Sequence, residues 1–346
     1  MDPMTFEKVV TSLKNKRRTM SLLIGNGFSM AYDNEIFSYN ALYNFLQSQD
    51  DELLTKLFGA IKSKNFELVM QQLDTTIALL DAFGAEDSVK QQIRTAAKKL
   101  KNSLLESVKE LHPEHVFKIP DIKSQSCSRF LSFFLDSGGQ IFTTNYDLLL
   151  YWVLMRQGTD QHVDGFGRDL ENPVEAKKGE VEHWSDLIWG PNQEKQNIHY
   201  LHGALHLFDT GVEIVKEQYD LTGYLLEHIT ARLNNGSYPI FVTAGNGAEK
   251  LEHIRHNRYL SFCYDRLLDI DGSLVTFGFN FGPYDDHIIG AINKAAKHGV
   301  KSPRALRSVY IGTYSDADVR HIESIRPKFE VKLQLFDAKT ANVWGA

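Results

Sequence analysis

Cysteine is nearly missing: the 346 residues hold two, Cys127 and Cys263. Two cannot build a four-cysteine zinc site, and their wide separation offers no disulfide framework. No run of about 18 apolar residues occurs, and the N-terminus has no long apolar h-region, so a cytoplasmic chain without a membrane partner is expected. Positive charge is not in excess. The net charge of −6 leaves no electrostatic footprint for direct nucleic-acid binding. No long repeat and no low-complexity linker are found. What remains is 42% hydrophobic and 24% charged, an ordinary balance for a globular chain with a sizeable core.

The informative stretch is Gln140-Ile141-Phe142-Thr143-Thr144-Asn145-Tyr146-Asp147. Ile141 and Phe142 suit the end of a buried strand, and Thr143 to Asp147 is polar and turn-prone. Asp147 can cap an apolar helix starting at Leu148. A strand, a polar turn and a helix start form the usual ligand edge of an open parallel sheet. A second such exit precedes it. Met20 to Ile24 reads as a central strand and runs into Gly25-Asn26-Gly27-Phe28-Ser29. Glycines there let the backbone approach a phosphate, although a Gly-x-Gly by itself more often serves a plain turn.

The rest of the chain frames these exits. Residues 5–15 have the period of an amphipathic helix. Residues 40–112 lose strand signals and show long helical periods, Phe66–Phe83 and Ser88–Leu111, which predicts a helical insertion. Its basic cluster Lys98-Lys99-Leu100-Lys101 suits a solvated face better than a nucleic acid. Ser126–Asp136 reads as a helix and Leu148–Met155 as buried. Residues 158–196 form a long polar segment, read as irregular, of the kind used for lids or interfaces. Ile198–Leu201 is a strand ending at His202-Gly203, and Ala204–Phe208 continues it or pairs back on it. Pro239–Thr243, Ser273–Phe277, Ser308–Ile311 and Val331–Phe336 read as strands. Between them lie the helical patterns Glu249–Leu268, Asp286–His298 and Asp316–Ile325. This alternation predicts an α/β, Rossmann-like doubly wound parallel sheet of about six strands, formed by residues 1–39 and 113–346.

Three blocks then fall into a known order: Gly25-Asn26-Gly27-Phe28-Ser29, Thr143-Thr144-Asn145-Tyr146-Asp147 and Leu201-His202-Gly203. They resemble the Gly-Ala-Gly-x-Ser, Thr-Gln-Asn-x-Asp and His-Gly motifs of the sirtuin superfamily. Gly278 to Ile288 is similar to the Gly-x-Ser-x-x-Asp-x-His segment of its bacterial branch. The Pro-Asp-Phe-Arg and zinc cysteines of deacylases are missing, so the pattern is closer to sirtuin-like antiphage effectors that hydrolyse NAD. The resemblance implies Asn145 and His202 as catalytic residues. It implies an NAD-binding set of Gly25, Asn26, Gly27, Ser29, Thr144, Asp147, Gly278 and Asn280. It also implies a homo-oligomer, with a HerA-type ATPase or another defence protein as partner.

Chemistry agrees with these residue types. Asn145 can hydrogen-bond a ribose hydroxyl or orient water without adding charge. His202 is the candidate general base, with an ordinary imidazole pKa near 6.5. Asp286 and His287 read as the cap and first turn of a helix. Thr243-Ala244-Gly245-Asn246-Gly247, with Lys250 and Arg255 after it, suits a turn or a phosphate contact equally. A metal reading from His199, His202 and His206 is weak, because on a strand His199 points away from the other two. The expected function is NAD hydrolysis without a metal. The alternatives are a non-catalytic NAD or ADP-ribose sensor and, last, a protein deacylase.

Overall fold

The computed structural model describes residues 3–37, 51–62, 66–113, 115–157, 161–168, 185–219, 223–235, 237–242, 246–297 and 305–345. Its described strands are β1 (Met4–Thr5), β2 (Met20–Ile24), β3 (Ile141–Thr143), β4 (Phe166–Arg168), β5 (Leu187–Trp189), β6 (Ile198–Tyr200), β7 (Gly203–Asp209), β8 (Ile214–Lys216), β9 (Pro239–Phe241), β10 (Gly272–Phe277), β11 (Leu306–Thr313) and β12 (Lys332–Asp337).

Seven of these make one sheet in the order β1-β12-β11-β10-β2-β3-β6, and every pairing in it is parallel. The chain is therefore α/β with a Rossmann-like parallel sheet. The parallel count exceeds the expected six by exchange as well as addition. Pro239–Phe241 leaves this sheet, while β6 holds one edge and the two-residue β1 holds the other. All five residues of β2 are buried. That is why Met20 to Ile24 shows no alternation: helices cover both faces of a central parallel strand. Leu22 sits between Ile141 of β3 and Val275 of β10. From β2 the chain builds outward to β3 and β6 on one side, then returns to build β10, β11 and β12 on the other. The crevice beyond the carboxyl ends of β2 and β10 is thus the switch point of the sheet, the place where such folds bind ligands.

The second sheet was not expected. Its order is β4-β5-β8-β7-β9, and its pairings are antiparallel. It takes part of residues 158–196 that read as irregular, because β4 and β5 are three residues each and too short for a period to show. Residues 158–160 and 169–184 of that segment lie outside the described residues. Ala204–Phe208 turns out to be the long strand of this sheet. Its turn from β6 needs Gly203, at φ +82, where a Cβ would stand 1.8 Å from the Ile240 carbonyl oxygen.

Helix Phe6–Asn15 buries Phe6, Val9, Val10 and Leu13, as its spacing requires. The pattern read as one helix over 249–268 is two, Gly247–His256 and Arg258–Leu268. Asn257 breaks it: its side chain accepts from the Tyr259 and Leu260 amides and caps the second helix. The insertion is helical where described, with Glu52–Ile61, Phe66–Ala82 and Asp87–Leu111. Residues 40–50 and 63–65 of it lie outside the described residues. Leu54, Phe58, Val69, Met70, Leu73 and Leu100 give it an apolar cluster apart from the main core. Among the described residues no helix is long and apolar enough to cross a membrane.

Candidate active site

The two glycine exits meet back to back. The Gly25 amide donates to Phe277 O and the Gly27 amide to Gly278 O, at 3.1 and 2.9 Å. A Cβ on Gly25 would come within 2.6 Å of Gly278 O, and one on Gly27 within 2.6 Å of Gly278 Cα. Gly278 has φ +66, and its own Cβ would meet the Phe28 nitrogen at 2.4 Å. The glycines are thus required by the close approach of two loops. The amides of Phe28 and Ser29 bond back to Gly25 O and Asn26 O. This corrects the expected phosphate approach at the first loop: the Gly25 and Gly27 amides and both donors of Ser29 are already used within the protein.

The Asn145 turn leaves β3 and is held on both sides. The Thr144 amide donates to Ile24 O, the Leu201 amide to Thr143 O, and the Leu205 amide to Tyr146 O. Asn145 donates from Nδ2 to Ser29 Oγ at 2.9 Å. Ser29 Oγ in turn lies 2.5 Å from Asp147 Oδ2, and Asp147 Oδ1 accepts the Leu149 amide. Asp147 is therefore the helix cap its position predicted. Ser29 is fully buried and joins two polar side chains rather than facing a ligand. Burial raises the Asp147 pKa, and the Ser29 hydroxyl opposes that rise. The next amide, Leu148, donates to His112 Nε2 at 2.8 Å. His112 follows the last helix of the insertion and packs edge-on against Phe37 and Trp152, so the insertion is tied to the turn.

His202 comes from the other side, on the turn between β6 and β7. Its Nε2 lies 2.9 Å from His287 Nε2. Both rings are buried. Burial pushes the His202 pKa well below 6.5, with the His287 ring and the Lys250 ammonium adding to the effect. Burial and Lys250 likewise push His287 down to about 3. The expectation of an ordinary imidazole at His202 is corrected: both rings are neutral at physiological pH. Lys250, also buried, sits 3.6 Å from Asp285.

Most of the expected site residues share one cavity of about 1240 Å³. Asn26, Gly27, Thr144, Asn145, Asp147, His202, Gly278 and Asn280 line it, together with Lys250 and Asp285. Of the ten expected site residues, Gly25 and Ser29 are not in the lining and support it from behind. Arg255 pairs with Asp265 and Ser261 instead, and residues 243–245 of the Gly245 exit lie outside the described residues. The three histidines of the metal reading go to separate places. His199 bonds Gln140 and Gln196, His202 bonds His287, and His206 stacks on Tyr151. No group of three His, Cys, Asp or Glu able to hold a metal occurs among the described residues. His287 is a site-supporting group that the sequence marks only by its place in the Gly278 to Ile288 segment.

Residues 22–344 match a family described as a domain of unknown function, DUF4917. The chain belongs to the DUF4917 family. The match begins within β2 and ends past β12, so the DUF4917 region contains every residue of the cavity wall named above. No curated protein matches the chain.

Proposed function

We propose that this protein is an NAD hydrolase, cleaving NAD to nicotinamide and ADP-ribose. One observation carries the reading: Asn145 and His202, from the ends of two different strands, line a single cavity at the switch point of the sheet. Its volume exceeds the ~300–1,000 Å³ usual for small-ligand pockets, which suits a dinucleotide. The order of the sirtuin-like blocks supports the same choice.

The bond to break joins ribose C1′ to the nicotinamide nitrogen. Nicotinamide leaves as a neutral base from a cationic ring, so no acid is required. Water adds to C1′ and its proton passes to solvent, giving ADP-ribose, nicotinamide and a proton. The protein must hold the ribose and support the oxocarbenium-like centre. Asn145 contributes an amide fixed by Ser29. His202 contributes a neutral imidazole. Such an enzyme acts as a regulated effector, consistent with antiphage defence, in the cytoplasm and as a homo-oligomer. The insertion offers the route for an activating partner, a HerA-type ATPase or another defence protein, because His112 connects it to the Asn145 turn.

The experiment is incubation of pure protein with NAD, alone and with the products of neighbouring genes, reading nicotinamide release. Asn145→Ala should stop release while the chain stays folded. The buried, neutral state of His202 favours a second reading, a sensor that binds NAD or ADP-ribose without cleaving it. Tight binding with no release would select the sensor; absence of binding would remove both. Release dependent on an acylated peptide would restore a deacylase.

A further inference from the structure

His202 and His287 meet through like atoms, Nε2 to Nε2. Such a contact is a hydrogen bond only when one nitrogen is protonated and the other bare. Two arrangements satisfy this. In the first, His287 donates from Nε2, its Nδ1 is a bare lone pair, and His202 carries its proton on Nδ1. In the second, His202 donates, its Nδ1 is bare, and His287 carries a proton on Nδ1.

The environment of His287 Nδ1 decides between them. That atom is buried with no hydrogen-bond partner. An orphaned buried N–H is rarer and costlier than an unused lone pair, so the first arrangement is favoured. His202 Nδ1 has no partner among the described residues either, but His202 lines the cavity, where a ligand can meet it, and His287 is not in that lining. The same logic fixes Asn145. Its Nδ2 is engaged by Ser29, which can accept because its own proton goes to Asp147, and Oδ1 is left as the atom offered.

We propose that His287 is a positioning residue: it holds His202 in the tautomer that presents Nδ1–H as a donor to the cavity whose wall Asn145 also lines. Among the polar groups of the wall, His202 then offers a donor and Asn145 an acceptor. Sugar hydroxyls, which both donate and accept, can use either group, whereas a phosphate, which only accepts, can use His202 but not Asn145 Oδ1. His202 in this state carries no lone pair toward the ligand and is not a base. The ligand class rests on the NAD reading; the tautomer does not.

The test is long-range ¹H–¹⁵N NMR of His202 in labelled protein, with calorimetry against ADP-ribose. His202 should show a protonated Nδ1 and a bare Nε2. His287→Gln, whose amide can donate to the same Nε2, should keep that signature and stay within about threefold in ADP-ribose affinity. His287→Leu should mix the tautomers and weaken binding about tenfold, on the scale of one lost hydrogen bond. A protonated Nε2 in the wild type, or an unchanged His202 tautomer in His287→Leu, overturns the inference. If His287→Leu does not fold, the wild type and His287→Gln still decide it. If ADP-ribose does not bind the wild type, the NAD reading fails while the spectrum still rules on the tautomer.

Discussion

Ser29→Ala removes the hydroxyl that joins Asn145 to Asp147 and leaves a space only one oxygen in size. Lost packing is therefore minor. The cost comes from two buried polar atoms deprived of a partner, Asn145 Nδ2 and Asp147 Oδ2, at about 1–3 kcal/mol each. The Asp147 share depends on pH. Its folded pKa is already raised by burial, and the Ser29 hydroxyl lowers it. With a raised folded value, the folded chain binds the proton more tightly than the unfolded chain. Stability from this group is thus full below the ordinary carboxyl value of 3.8 and is lost as pH rises through the folded value. Deleting the hydroxyl raises the folded value further, so the loss runs on to higher pH. The gap between wild type and variant should widen by about 1–2 kcal/mol from about pH 4.5 to about pH 7.5. Urea midpoints at the two pH values, read by circular dichroism, measure it. An equal shift at both would refute the claim that Ser29 supports a carboxylate at Asp147.

Three further substitutions probe the other supports. Gly278→Ala places a Cβ 2.4 Å from the Phe28 nitrogen at φ +66 and should cost at least about 2 kcal/mol; a melting curve like that of wild type would mean the two loops are not jammed. His112→Leu keeps bulk but removes the acceptor of the Leu148 amide. A loss of about 1–3 kcal/mol is expected, with faster hydrogen exchange at Leu148, and unchanged protection would count against the link from the insertion. Lys250→Met removes a cation that lowers both His202 and His287, so NMR titration should find both rings easier to protonate. Because both fold neutral, stability falls as pH drops below the ordinary 6.5, and this variant should fall less; titrations that do not move would place Lys250 away from the rings.

The sequence made the parallel sheet legible because its strands are solid apolar runs that end in glycine or polar turns, as at Ile24, Thr143 and Phe277. It hid the second sheet because β4, β5, β8 and β9 are three residues each, and their pairing is tertiary. Asn257 could have been read as a cap, but the apolar period runs on across it. In the site, Asn145 and His202 were visible as polar residues at strand exits. Ser29 was misplaced because a serine after Gly-x-Gly looks outward, whereas here the tight loop turns it onto Asp147. His287 was hidden because a helix's first turn gives no sign of which ring it will meet from 85 residues away.

The position of β2 bears on how the chain is made. Its neighbours β3 and β10 begin at Ile141 and Gly272, so on the ribosome this strand waits with an open edge until most of the polypeptide has emerged. An unpaired apolar edge is a template for wrong partners. A fragment stopped before Gly272 keeps that edge bare, since β10 is the strand that pairs with it there.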